Sequence, residues 1–129
     1  MAGLNITTHH GPKTFAAEVP VKGGQVVVAG SDGGVKVAAA DAEKVLGVAI
    51  VDAQPKADPV DGVLVAKPEH TSVAYGPAEL ELEVTGSVGL GDKVGAAASG
   101  KVKAWAAGDV VGVVTCVLAN NRALVRLTV

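Results

Sequence analysis

The sequence predicts an all-β protein: a small barrel or sandwich of short strands, built from two similar β units, with an extended N-terminal arm. Three observations carry this. Nine short Val-rich runs are bounded by Gly, Pro or Asn, as strands and their turns require. One of them, "ELELEV", alternates strictly: Glu79, Glu81 and Glu83 take one face, and Leu80, Leu82 and Val84 the other. The third is an internal repeat.

Taken in order, residues 1–17 read as a polar arm and residues 18–129 as one β domain. "QVVVAG", "GVKVA" and "GVAIV" read as strands. "AAADAEKVL", residues 38–46, is the one stretch with helical composition, but it is short and has no apolar stripe. Residues 53–69 carry three prolines and read as a long surface connection holding at most one short strand, "GVLVA". "TSVAY", "ELELEV", "KVKAW", "VVGVVTCVL" and "ALVRLTV" complete the strands. "LANNRA" reads as a tight hairpin turn, because Asn tolerates positive φ.

The repeat aligns residues 24–51 with 91–116. An offset of 67 pairs Gly24 with Gly91, Val27 with Val94, Gly33 with Gly100, and Val35-Lys36 with Val102-Lys103. A two-residue deletion then brings Gly47-Val48 onto Gly112-Val113. Such a deletion would rotate a helix's buried face by about 200°, whereas a loop absorbs it, so residues 38–46 read as a loop. Each copy becomes strand, Gly turn, strand, loop, strand. "HTSVAYG" and "ALVRLTV" extend the match as closing strands, with the Pro-rich insert standing where the Asn-Asn turn stands. Two such copies suggest pseudo-twofold packing.

Composition narrows the function. Hydrophobic residues make up 49% of the 129, yet Phe15, Tyr75 and Trp105 are the only aromatics. A core of Val and Ala buries little area per residue, so association with a partner would add useful stability. The net charge of −2 and scattered basic residues argue against nucleic-acid binding. Cys116, the single cysteine, lies in an apolar run and reads as a buried, inert thiol. The first residues lack the apolar core of a signal peptide, and the longest apolar stretch is too short to span a bilayer.

Candidate chemistries fail on detail. "GAAASGKV", residues 95–102, nearly spells a phosphate-binding loop, but Val102 replaces the Ser/Thr that would hold magnesium, and strand-like sequence follows. It reads as a hairpin. His9-His10 point to opposite sides of an extended chain and chelate one ion poorly. No G-x-S-x-G occurs, and the carboxylates of "ELELEV" repeat without a pocket to desolvate them. Lys36 and Lys103 sit in matched strands, which invites comparison with biotinyl and lipoyl carrier domains, but neither context matches and two equivalent lysines spoil the uniqueness. In "GKVKAWA" alternation puts Lys101, Lys103 and Trp105 on one face, and Val102, Ala104 and Ala106 on the other. Trp105 then either caps the open end of the core or anchors an interface.

"GDKVGAAASGKVKAWAAGDVVGVV" followed by "ALVRLTV" resembles the C-terminal half of capsid decoration (cement) proteins of tailed double-stranded DNA bacteriophages. "VPVKGGQVVVAGSDGGVKVAAADAEKVLGVAIVDA" is similar to that family's opening segment, so the resemblance spans roughly residues 18–129. It implies a structural protein without enzymatic activity or cofactor, made in the host cytoplasm and bound to the outer surface of the virion's capsid. Its partners would be the major capsid protein and copies of itself, as a homotrimer, with no nucleic acid and no membrane. Candidate interface residues are Thr7, His9, His10 and Phe15 of the arm, Trp105, and the ridge of Glu79, Glu81 and Glu83. The alternatives are a β-barrel accessory module of a virion tail or baseplate, and a biotinyl- or lipoyl-like carrier domain.

Overall fold

The computed structural model describes Gly3, residues 12–55 and residues 68–129. These residues form ten strands: β1 (Lys13–Ala16), β2 (Val26–Ala29), β3 (Val35–Val37), β4 (Val45–Ala49), β5 (His70–Ala74), β6 (Glu79–Glu83), β7 (Lys93–Ala96), β8 (Val102–Ala104), β9 (Val110–Leu118) and β10 (Arg122–Leu127). They make two five-stranded antiparallel sheets, ordered β1-β5-β4-β2-β3 and β6-β10-β9-β7-β8. Neither closes into a barrel, so the protein is a sandwich. In each sheet the edges approach at a single parallel bridge, Ala17 with Val35 and Val84 with Val102.

The two orders are the same topology, and the repeat holds to the register. Val27 opposite Val37 becomes Val94 opposite Ala104. Val26 opposite Val48 becomes Lys93 opposite Val113. The same bulge interrupts both pairings, with Leu46 and Val111 as the extra residues. The repeated Gly-Val also acquires a cause: a β-carbon at Gly47 would overlap the Ala74 carbonyl oxygen, and one at Gly112 that of Arg126. The closing strands correspond as well, since Ala16 opposite His70 becomes Glu83 opposite Arg122.

Four expectations need correction. Residues 13–17, expected in the arm of residues 1–17, belong to the first sheet: Lys13–Ala16 pairs with β5 and Ala17 is buried. The loop that the repeat implies is present, by contrast: residues 38–44 are irregular, and Asp41 and Lys44 have φ of 55° and 58°, which no helix accommodates. Cys116 is exposed rather than buried. A bulge at Thr115 resets β9 so that Cys116 stands opposite Leu124, on the outward row. Ala104 and Ala106 are exposed although Val102 is buried, because β8 ends at Ala104. The hairpin expected at Asn120-Asn121 is present, with φ of 62° and 57°. The "GVLVA" run falls outside the described residues.

Twofold packing is the remaining correction. One core cluster draws on both sheets and includes Val26, Ala38, Val48 and Ala74 from the first and Val94, Ala96, Val102, Val114 and Val125 from the second. In the first sheet Val26, Val48 and Ala74 form one cross-strand row and are buried in this cluster. The equivalent row of the second sheet is Lys93, Val113 and Arg126, of which the two charged residues are exposed. The first sheet has a further cluster on its other face, containing Val27, Val35, Ala49 and Val73 under Ala17, Val21 and Ala53. Unlike faces therefore meet, and the two units stack head to tail.

Hydrogen bonds fix the junction. The tip of the β7–β8 hairpin enters it: Gly100 N–H donates to Ala38 O at 3.1 Å and Asp41 N–H to Ala96 O at 3.0 Å. Gln25 Nε2 donates to Ser99 O at 3.1 Å, and Val45 N–H to Asp109 Oδ2 at 3.0 Å. Lys103 Nζ lies 3.0 Å from Asp41 Oδ1. Gly108, at φ 74°, leaves no room for a β-carbon beside the Asp41 and Ala42 carbonyl oxygens, whereas Gly91, at φ 84°, faces open space. Gly91→Ala should cost about 1–2 kcal/mol from backbone strain alone. Gly108→Ala should cost about 1–3 kcal/mol more, as overpacking does. Urea unfolding of the two variants measures the difference, and equal losses would mean the junction yields to a methyl group.

Candidate interaction surface

The outer face of the second sheet gathers the residues with surface chemistry. Its edge strand β6 carries Glu79, Glu81 and Glu83, all exposed. The next strand, β10, sets Arg126, Leu124 and Arg122 opposite them. Each carboxylate has a partner within the chain: Thr115 Oγ1 donates to Glu79, Arg122 Nε lies 2.8 Å from Glu81 Oε1, and Lys101 Nζ lies 3.4 Å from Glu83 Oε1. These are exposed pairs worth about 1 kcal/mol or less each. The ridge is charge-compensated at Glu81 and Glu83, while Glu79 is bonded to a neutral hydroxyl; on an edge strand it also discourages pairing with another sheet.

Trp105 follows β8 and stands 43% exposed. Its indole N–H donates to Gly108 O at 3.0 Å, and its backbone N–H to Lys93 O at 3.0 Å. Lys93 Nζ lies 6.0 Å from the ring centroid, at the limit of a cation–π contact. Gly95 makes room for the indole, since a β-carbon there would stand 3.1 Å from Trp105 Cδ1. The indole is thus pinned beside β7, and its chain neighbours Ala104, Ala106 and Ala107 are exposed. This geometry is that of a preorganised apolar anchor.

The other candidates separate. Phe15 lies half-buried on β1 and packs against the first sheet's own cluster, with Lys13 Nζ 5.6 Å from its ring centroid. Thr7, His9 and His10 lie outside the described residues. "GAAASGKV" folds as the β7–β8 hairpin, whose tip is a short 3-10 turn at Ala98–Gly100, and Lys101 turns to Glu83. Lys36 points outward and Lys103 is half-buried on Asp41. Among the described residues, no three His, Cys, Asp or Glu side chains gather as a metal site would require. A cleft of about 380 Å³ lies between Pro20–Lys22, Asp52–Gln54 and Pro68.

One functional-looking carboxylate escaped the sequence reading. Glu18 sits beneath the β2–β3 hairpin tip and accepts N–H bonds from Gly34 at 2.7 Å, Ser31 at 3.1 Å and Asp32 at 3.2 Å. Partial burial acts to raise its pKa, but these backbone donors and the charge of Lys36 outweigh it and hold the carboxyl below the ordinary glutamate value. A carboxylate that recognises a loop through main-chain N–H groups leaves only Gly30, Gly33 and Gly34 as its sequence trace.

Because the folded pKa is depressed, Glu18 contributes stability above its unfolded pKa of about 4.3 and loses it as pH falls through the folded value. Glu18→Gln should therefore unfold at lower temperature than wild type at pH 7, with the gap closing as pH is lowered below about 4.3. Thermal melts of both proteins across this range check it; a gap independent of pH would show that the charge is not what the loop recognises. Compared with known proteins, the chain matches no family model and no curated protein.

Proposed function

We propose that this protein is a capsid decoration protein of a tailed double-stranded DNA phage, binding the outer surface of the mature shell and bridging major capsid subunits. The observation that carries this reading is the duplicated Gly/Val strand module, whose sequence pattern resembles that family over roughly residues 18–129. The exposed, rigidly seated Trp105 supports it as an anchor in a protein with three aromatics in all.

The physics is multivalent bridging. A protomer makes a modest contact with the shell, and a homotrimer makes three at once, so release requires all to break together. Effective-concentration arguments put the gain at roughly 10²–10⁴ over a single contact. The segment holding Thr7, His9 and His10 supplies polar and imidazole groups that extend this footprint in the proposal. Undecorated mature capsids of the phage, mixed with purified protein and sedimented, should carry it down at many copies per particle, saturating at a fixed ratio to the major capsid protein. A pellet without it overturns the reading.

A further inference from the structure

Among the described residues, head-to-tail stacking within the chain leaves two counterpart surfaces uncovered. The junction buries the tip of the second unit: Ala96 is 0% and Ala97 2% exposed, and Gly100 is buried. Their equivalents in the first unit, Ala29, Gly30 and Gly33, sit on a tip where Ala29, Ser31, Asp32 and Gly33 are exposed. The receiving surface in the first unit is the Val26–Val48–Ala74 row with Ala38, which is 2% exposed. Its equivalent in the second unit is the Lys93–Val113–Arg126 row with Trp105. Among the described residues, each molecule thus carries one receiving face and one hairpin tip of the kind its own junction joins that meet no partner.

The two surfaces also differ in charge. The free tip holds Asp32 at its apex and the Glu18 carboxylate beneath it. The free face holds Lys93 beside Trp105, while Arg126, at the far end of the row, stands opposite Glu79. An acidic, Gly-rich tip is complementary to the Trp105–Lys93 end of this face, where a cation borders an apolar ring. Contacts between unlike surfaces propagate from molecule to molecule and form rings when the rotation closes.

We propose that a second copy of this chain docks its β2–β3 hairpin tip on the Trp105 face, repeating between molecules the junction that joins the two units within one. The proposal rests on the capsid reading to this extent, that it supplies the self-association which trimeric bridging assumes. The two fail distinguishably: a monomeric wild type that still sediments with capsids would sink the docking alone, and an oligomer that leaves capsids bare would sink the capsid reading alone.

Sedimentation velocity of the purified full chain tests it. Wild type should run as a defined oligomer, well above the 12.7 kDa monomer. Trp105→Arg, which spoils the face, and Asp32→Lys, which spoils the tip, should each weaken association at least tenfold while far-ultraviolet circular dichroism stays unchanged. If Trp105→Arg unfolds, Lys93→Glu on the same row replaces it. An equimolar mixture of one face variant and the tip variant should recover a one-to-one dimer and nothing larger, because each supplies the surface the other lacks. A monomeric wild type, single variants that keep the wild-type mass, or two monomeric variants that do not complement would each overturn the proposal.

Discussion

The arrangement depends on the junction between the two units, where a small-residue hairpin tip is driven into a row of small apolar residues. Ala96 and Gly100 can approach Asp41 and Ala38 closely enough for main-chain hydrogen bonds because neither tip residue carries a side chain beyond a β-carbon. That closeness lets backbone groups on both sides satisfy one another beside buried Ala38, Ala96 and Gly100, where an unmade bond would cost about 1–3 kcal/mol. It also explains the alanine and glycine content of the segment that first suggests a phosphate cradle.

Duplicated loops have met the same requirement by different means. In the first unit the hairpin tip faces solvent, and its N–H groups converge on the Glu18 carboxylate. In the second, Thr85 takes the position of Glu18, preserving only the main-chain bond to the neighbouring strand: Glu18 N–H to Val35 O, Thr85 N–H to Val102 O. There the tip is completed by the first unit itself. A carboxylate completes one tip, and the backbone of the other unit completes the other.

The core is built for this kind of assembly. Its largest fully buried side chains are two leucines and ten valines, with no aromatic among them. Branched, stiff side chains pack well between twisted strands but contribute only about 1.5–3 kcal/mol each. Stability therefore comes from many modest contacts rather than a few large ones, and close main-chain approaches such as those at Gly47 and Gly112 are part of the packing.

Much of the fold is legible in the residues, because a strand of alternating Val and a Gly turn are local instructions. The equivalence of β2–β4 with β7–β9, the loop at residues 38–44 and the Asn turn all follow from such signals. β1 does not, since "KTFA" has little apolar pattern and its partner β5 lies more than fifty residues away. Cys116 is misread for a similar reason: the bulge at Thr115 that turns it outward is a property of the β9–β10 pairing. The carboxylates of β6 are visible as a ridge, but their pairing with Arg122, Lys101 and Thr115 is not, because those partners arrive from three other places in the chain.

By itself, then, the sequence determined the strands, their turns and the fact of duplication, since each is written in neighbouring residues and enforced by backbone sterics. Only the tertiary structure decided which faces meet, and so whether Trp105 is buried or presented. Two copies of one motif offer like faces and unlike faces for packing, and the choice rests on contacts between residues such as Gly100 and Ala38, far apart along the chain.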